Sequence, residues 1–139
     1  MTPSFVIDCS LAMAWCFRNE ATAATNELLE RMTHESAAVP AWWYLEVTNV
    51  LALAERKGRI KPTESAAFIT LLERFDLDVD DQAPSRSFSH LLPLCRAHAL
   101  TSYDAAYLDL AMRWDLPLAS LDRSLRHAAG AVGIRVLGQ

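Results

Sequence analysis

Four carboxylates fall where a folding chain has reason to avoid them. Asp8 ends the apolar run of Phe5, Val6 and Ile7, Asp122 ends the segment "PLASLD", Asp104 opens "TSYDAAYLDLA", and Glu46 lies inside "AWWYLEVTNVLALAERK". Glu46 has Trp42, Trp43, Val50 and Leu53 at offsets of four, three, four and seven, which sets it along the apolar stripe of a helix. Asn49, one turn later, adds a second polar group to that face. Asp104 repeats the pattern, with Tyr107, Leu108 and Ala111 three, four and seven residues beyond it, whereas Asp109 is rotated away and is expected in solvent. A carboxylate on an apolar face must be desolvated at considerable cost, take up a proton, or face a positive partner.

No Lys or Arg is patterned to be buried with these acids, so they are expected to raise one another's pKa unless a cation joins them. All-oxygen ligands suit Mg²⁺ or Mn²⁺ better than zinc, and such an ion can acidify a bound water and offset charge on a phosphoryl oxygen. Each acid taken alone also has a simpler reading. Asp8 and Asp122 stand between a strand and a helical turn, where Asp is favoured as an N-cap. Thr101 and Asp104 match the capping-box spacing.

The elements that must position these groups alternate. Short apolar strands are expected at Ser4 to Asp8, Ala37 to Val39, Leu77 to Val79, Pro117 to Leu121 and Ile134 to Leu137. Helical patterns are expected at Ala21 to Met32, Ala41 to Lys57, Thr63 to Phe75, Ser85 to His98, Ser102 to Trp114 and Ser124 to Ala129. Strands too apolar to show a solvent face argue for an α/β fold, with a parallel sheet covered on both faces by helices. In such sheets ligands bind beyond the carboxyl ends of the strands, where the strand order reverses, so Asp8 and Asp122 would face one site if their strands are neighbours.

The chain has 139 residues and no repeat, low-complexity tract or linker, so a single domain over 1–139 is expected. A net charge of −4 argues against the broad basic surface of many nucleic-acid binders, unless several carboxylates are neutralised around one cation. Cys9, Cys16 and Cys95 are odd in number and lack a CxxC spacing, so reduced thiols are expected. With no signal-like N-terminus and no apolar stretch of membrane-spanning length, the expectation is a soluble, cytoplasmic protein.

"FVIDCS", "WYLEVTNVL", "TSYDAAYLDLA" and "LASLD" occur in the order and approximate spacing of the PIN-domain family, and the chain resembles the VapC toxins of bacterial toxin–antitoxin pairs. The resemblance implies a three-layer α/β/α fold with a central five-stranded parallel sheet, in which the strands carrying Asp8 and Asp122 are adjacent. It implies a Mg²⁺- or Mn²⁺-dependent endoribonuclease that hydrolyses RNA phosphodiester bonds with a metal-activated water. By position, Asp8 and Asp104 correspond to the principal metal-binding carboxylates, with Glu46 and Asp122 completing the acidic pocket. Ser10 and Asn49 match substrate-positioning sites. Ser120 departs from the Thr frequent in relatives, and Cys9 stands at a variable position. The resemblance further implies a homodimer and a cognate VapB-type antitoxin that lays a segment across helices near the acids.

Among the remaining residues, Arg123 and Arg126 follow Asp122 and are candidates to meet an RNA phosphate. Arg56, Lys57, Arg59 and Lys61 surround Gly58, a helix C-cap signal, and their charges complement the helix dipole. His90, Cys95 and His98 lack the ligand count of a zinc site. Trp15, Trp42, Trp43 and Phe17 are core candidates that could together line an apolar groove. Two other functions compete: a catalytically silent PIN-like binding scaffold, and a phosphorelay receiver domain. The receiver would need a Lys near a late strand, and none follows Lys61.

Overall fold

The computed structural model describes residues 2–139. Five strands, β1 (Pro3–Ile7), β2 (Ser36–Pro40), β3 (Asp76–Asp80), β4 (Leu118–Ala119) and β5 (Val136–Leu137), pair in parallel in the order β3-β2-β1-β4-β5. The chain builds outward from β1 to β3, then crosses back to lay β4 on the other side of β1. The strand order therefore reverses between β1 and β4, where Val6 lies opposite Leu118 and Ile7 opposite Ala119. That reversal opens a crevice beyond the two strand ends.

Helices cover both faces in a three-layer α/β/α arrangement. They are α1 (Cys9–Cys16), α2 (Ala23–Arg31), α3 (Trp43–Arg56), α4 (Pro62–Glu73), α5 (Ala83–Arg86), α6 (Leu92–His98), α7 (Ser102–Trp114) and α8 (Arg123–Ala131). Among the described residues no helix is long and apolar enough to cross a membrane. Phe5, Val6 and Ile7 of β1 and Ala37, Ala38 and Val39 of β2 are fully buried, as strands covered on both faces must be. Helix α7 is buried on nearly every side from Ala105 to Ala111, because it packs on the sheet beneath and is covered from outside.

Several elements depart from what the sequence pattern predicts. Helix α1 follows β1 directly. Its residues "CSLAMAWC" are apolar on all faces and carry no helical periodicity, so a buried helix could not be told from an extended apolar run. Strand β3 shows exposed Asp76, Asp78 and Val79 because it is an edge strand, and its charges discourage pairing with another chain. The helix expected over Ser85 to His98 is broken by a π-helical turn at Ser87–Leu91. Pro93 has no N–H to continue an α-helical ladder, and the wider turn upstream takes up the mismatch. After α3, Gly58 takes φ +71 so that the Arg59 and Gly58 N–H groups can close on the carbonyls of Ala54 and Glu55.

Asp109 corrects the expectation of a solvent-facing acid. It is only 5 % exposed, and Arg86 binds both its oxygens at 2.7 and 2.8 Å. Arg113, one turn later on α7, adds a bond at 3.0 Å and spans to Asp80 at the end of β3 at 2.7 and 3.1 Å. Helix periodicity places Asp109 away from Asp104 correctly. The error lay in taking that side for solvent, when α5 brings Arg86 over it. The two arginines hold the Asp109 carboxyl below its ordinary pKa despite its burial. Removing one partner leaves a buried charge uncompensated, so Arg113→Ala is expected to cost about 3 kcal/mol in chemical denaturation. An unchanged unfolding midpoint would show that water already neutralises Asp80 and Asp109.

Candidate active site

Asp8 stands just past β1 at the crevice and is 4 % exposed. Its carboxylate caps α1 by accepting the Leu11 N–H at 2.9 Å. The Ser10 hydroxyl donates to it at 2.7 and 2.9 Å, and Ser120, just after β4, donates at 2.5 Å. Both serines also accept. Ser10 Oγ takes the Leu121 N–H at 2.9 Å, and Ser120 Oγ takes the Asp122 N–H at 3.0 Å. Two short hydroxyls thus lace the loop after β4 to the tip of β1, which the β1–β4 pairing brings side by side. Asp122 caps α8 through its Oδ2, which accepts the Leu125 N–H at 2.8 Å.

Asp104 lies in the first turn of α7, whose N-cap Thr101 accepts the Asp104 N–H at 3.2 Å. Among the described residues no group hydrogen-bonds its carboxylate. Glu46, in the first turn of α3, accepts the Tyr107 hydroxyl on Oε1 at 2.5 Å, and its Oε2 has no partner. Two of the acids therefore do cap helices, as the simpler reading has it, and capping leaves Asp122 Oδ1 open.

The electrostatics join the four acids. Burial pushes Asp8 up to about 6, with the Asp122 charge adding to the effect, while the bonds from Ser120, Leu11 and Ser10 work against it. Asp104 is also pushed up to about 6, first by burial and then by the charges of Asp122, Asp8 and Glu46. Burial raises Glu46, and its bond from Tyr107 opposes the rise. Cys9 is pushed up to about 12 by burial and by the Glu46 and Asp8 charges, so it stays a protonated thiol. Among the described residues no Lys or Arg is bonded to any of these acids; the half-buried Arg86 and Arg113 are committed to Asp80 and Asp109.

The other candidates divide. Ser10 belongs to the Asp8 network. Asn49 and Arg123 are exposed. Arg126 is turned away from substrate, since it donates to the carbonyls of Ser120 and Leu137 at 2.7 and 2.9 Å. Arg59 pairs with Glu20 and lies over the Phe17 ring. Tyr107 stands out in the sequence only as part of an apolar stripe, and Ser120 only as a departure from the Thr frequent in relatives, with no bond to Asp8 implied.

A divalent ion fits this donor set. Open oxygens remain on Asp104, Glu46 and Asp122, all are hard ligands, and the raised acids favour a positive neighbour. Among the described residues no three His, Cys, Asp or Glu side chains are grouped closely enough to hold a metal ion by themselves. Mg²⁺ does not need such a group, because it keeps several waters and binds through one or two carboxylates.

The PIN domain model matches residues 5–131. The chain belongs to the PIN-domain family. PIN domains are in general metal-dependent nucleases. Among solved structures, the crystal structure of PAE2754 from Pyrobaculum aerophilum is similar, with 23 % identity and a TM-score of 0.67 over 92 % of this chain and 87 % of that one, and it shares the fold. No curated protein matches the chain.

The raised acids give this PIN domain a pH signature in metal-free buffer. A carboxyl whose folded pKa lies above its unfolded value binds more protons when folded, so its contribution to stability is lost as pH rises from about 4 through about 6. Asp104 makes no hydrogen bond that Asn would forfeit. In EDTA, Asp104→Asn is therefore expected to melt about 4 °C above wild type at pH 7.5, roughly 1 kcal/mol once solvent screening is allowed for. The difference should vanish below pH 4. Equal melting temperatures at both pH values would show that Asp104 is not under this strain.

Proposed function

We propose that the protein is a Mg²⁺- or Mn²⁺-dependent endoribonuclease acting as the toxin of a VapBC-type toxin–antitoxin pair. The observation that carries the reading is uncompensated charge: Asp8 and Asp122 stand at the ends of the adjacent strands β1 and β4, burial and neighbouring charges push the Asp8 and Asp104 carboxyls up, and among the described residues no Lys or Arg is bonded to Asp8, Glu46, Asp104 or Asp122. Asp8 and Asp104 would be the principal ligands, with Glu46 and Asp122 completing the pocket. A divalent ion bound there supplies Lewis acidity to phosphoryl oxygens and acidifies water for attack on phosphorus.

The chain's own residues do the positioning. Ser10, Ser120 and the Leu11 N–H hold Asp8 in one orientation without lending it a counter-charge. The α8 N-terminus fixes Asp122. Arg123, exposed beside Asp122, is placed to meet a backbone phosphate. Cys9 is held as a thiol, so no protein nucleophile competes with water, and direct hydrolysis would leave a 5′-phosphate and a 3′-hydroxyl.

An antitoxin partner is supported by a groove of about 600 Å³ between α3 and α4, lined by Tyr44, Val47, Leu51, Ile69, Leu72 and Phe75. Leu45, beside it on α3, is 71 % exposed. Apolar surface of this kind favours burial against a partner. A homodimer belongs to the same proposal, supported by Phe88, Leu92 and Met112, which stay exposed on the π turn, α6 and α7.

Cleavage ends mapped across total cellular RNA after brief induction test the reading. Wild type is expected to produce discrete new 5′-phosphate ends. In the purified system EDTA should abolish cleavage, and Asp104→Asn should slow it by at least about 100-fold. Cleavage that survives both changes would defeat the proposal.

A further inference from the structure

Tyr107 is 1 % exposed and sits on α7 one turn after Asp104. A buried phenol needs a partner for its hydroxyl, and this one reaches across to α3 to donate to Glu46 Oε1 at 2.5 Å. Its ring is held edge-on by Trp42, one turn before Glu46, with centroids 6.1 Å apart and planes at 65°. Among the described residues the Glu46 carboxylate accepts no other hydrogen bond.

We propose that Tyr107, wedged by Trp42, is a positioning residue that commits one oxygen of Glu46 to the phenol and so leaves the other for the divalent ion. The inference rests on the nuclease reading above and goes beyond it by assigning a task to a residue outside the acid set. A half-buried carboxylate with one unbonded oxygen can still sample several rotamers, and each sampled state weakens a ligand site that needs one. A rigid aromatic donor restricts that sampling, having only two side-chain torsions of its own. It also ties α3 to α7, the helices that carry Glu46 and Asp104. Hydrogen-bond partners of ligating carboxylates govern affinity and activity by about 10- to 100-fold.

The test measures Mn²⁺ affinity by calorimetry, with RNA cleavage rates in parallel, for wild type, Tyr107→Phe, Glu46→Gln and the double variant. Tyr107→Phe removes only the hydroxyl and is expected to weaken Mn²⁺ binding and cleavage by about tenfold or more. Adding it to Glu46→Gln should change neither by more than about twofold, because the phenol's target is already altered. A Tyr107→Phe protein with wild-type Mn²⁺ affinity, or with the same fold-loss in both backgrounds, overturns the proposal and leaves the nuclease reading standing. A wild-type protein that neither binds Mn²⁺ nor cleaves RNA overturns both. Should Tyr107→Phe fail to fold, 3-fluorotyrosine labelling retains the hydroxyl. The buried Tyr107 fluorine resonance, distinct from those of exposed Tyr44 and Tyr103, should shift with Mg²⁺ in wild type and stay fixed in Glu46→Gln. A resonance indifferent to Mg²⁺ in a wild-type protein shown to bind it overturns the proposal.

Discussion

Like charges crowded into a partly dry crevice repel one another, and in this chain the repulsion among Asp8, Glu46, Asp104 and Asp122 is the constraint around which the rest is arranged. Two of the four arrive by topology, since β1 and β4 are neighbours only because the chain reverses its direction of sheet growth between them. The other two arrive on the first turns of α3 and α7. What holds Asp8, Asp122 and Glu46 are dipoles: the serine hydroxyls, two helix N-terminal N–H groups and a phenol. Dipoles orient a carboxylate without cancelling its charge, so the crevice keeps its demand for a cation.

Elsewhere the same chain treats buried acids in the opposite way. Asp80 and Asp109 are as withdrawn from water as Asp8, yet each is met by arginine at close range. That network ties the end of β3 and α5 to the middle of α7, steadying the helix whose first turn carries Asp104. One set of acids is neutralised to brace the frame, and the other is left charged at the crevice. Arg126, close in sequence to Asp122, is held by two backbone carbonyls instead of an acid, and Arg123 points to solvent. The contrast argues that the bare acids are a feature of the site and not a shortage of basic residues.

Much of this was legible in the sequence because it rests on local pattern. The alternation of apolar runs and helical periods predicts the parallel α/β sheet, and the Thr101 cap marks the start of α7 at Ser102, where the helix begins. Glu46 and Asp104 stood out because each interrupts an apolar stripe. What was not legible depends on partners distant in sequence. Asp109 looked solvated because Arg86 lies 23 residues away. Ser120 binds Asp8 across a separation of 112, and no spacing rule links them. Helix α1 is illegible for the contrary reason: apart from Ser10 its eight residues are apolar, so no polar stripe marks a helical period.

The central claim is that these acids form a site for a hard divalent ion, and crystals grown with Mn²⁺ test it most directly through anomalous scattering. The account predicts a peak in the crevice between the ends of β1 and β4, bonded to the carboxylate of Asp104 or Asp8 and completed by waters. A well-ordered crevice with no peak, or Mn²⁺ bound only at other acids such as Asp76 and Asp78 of the exposed edge strand, would contradict it.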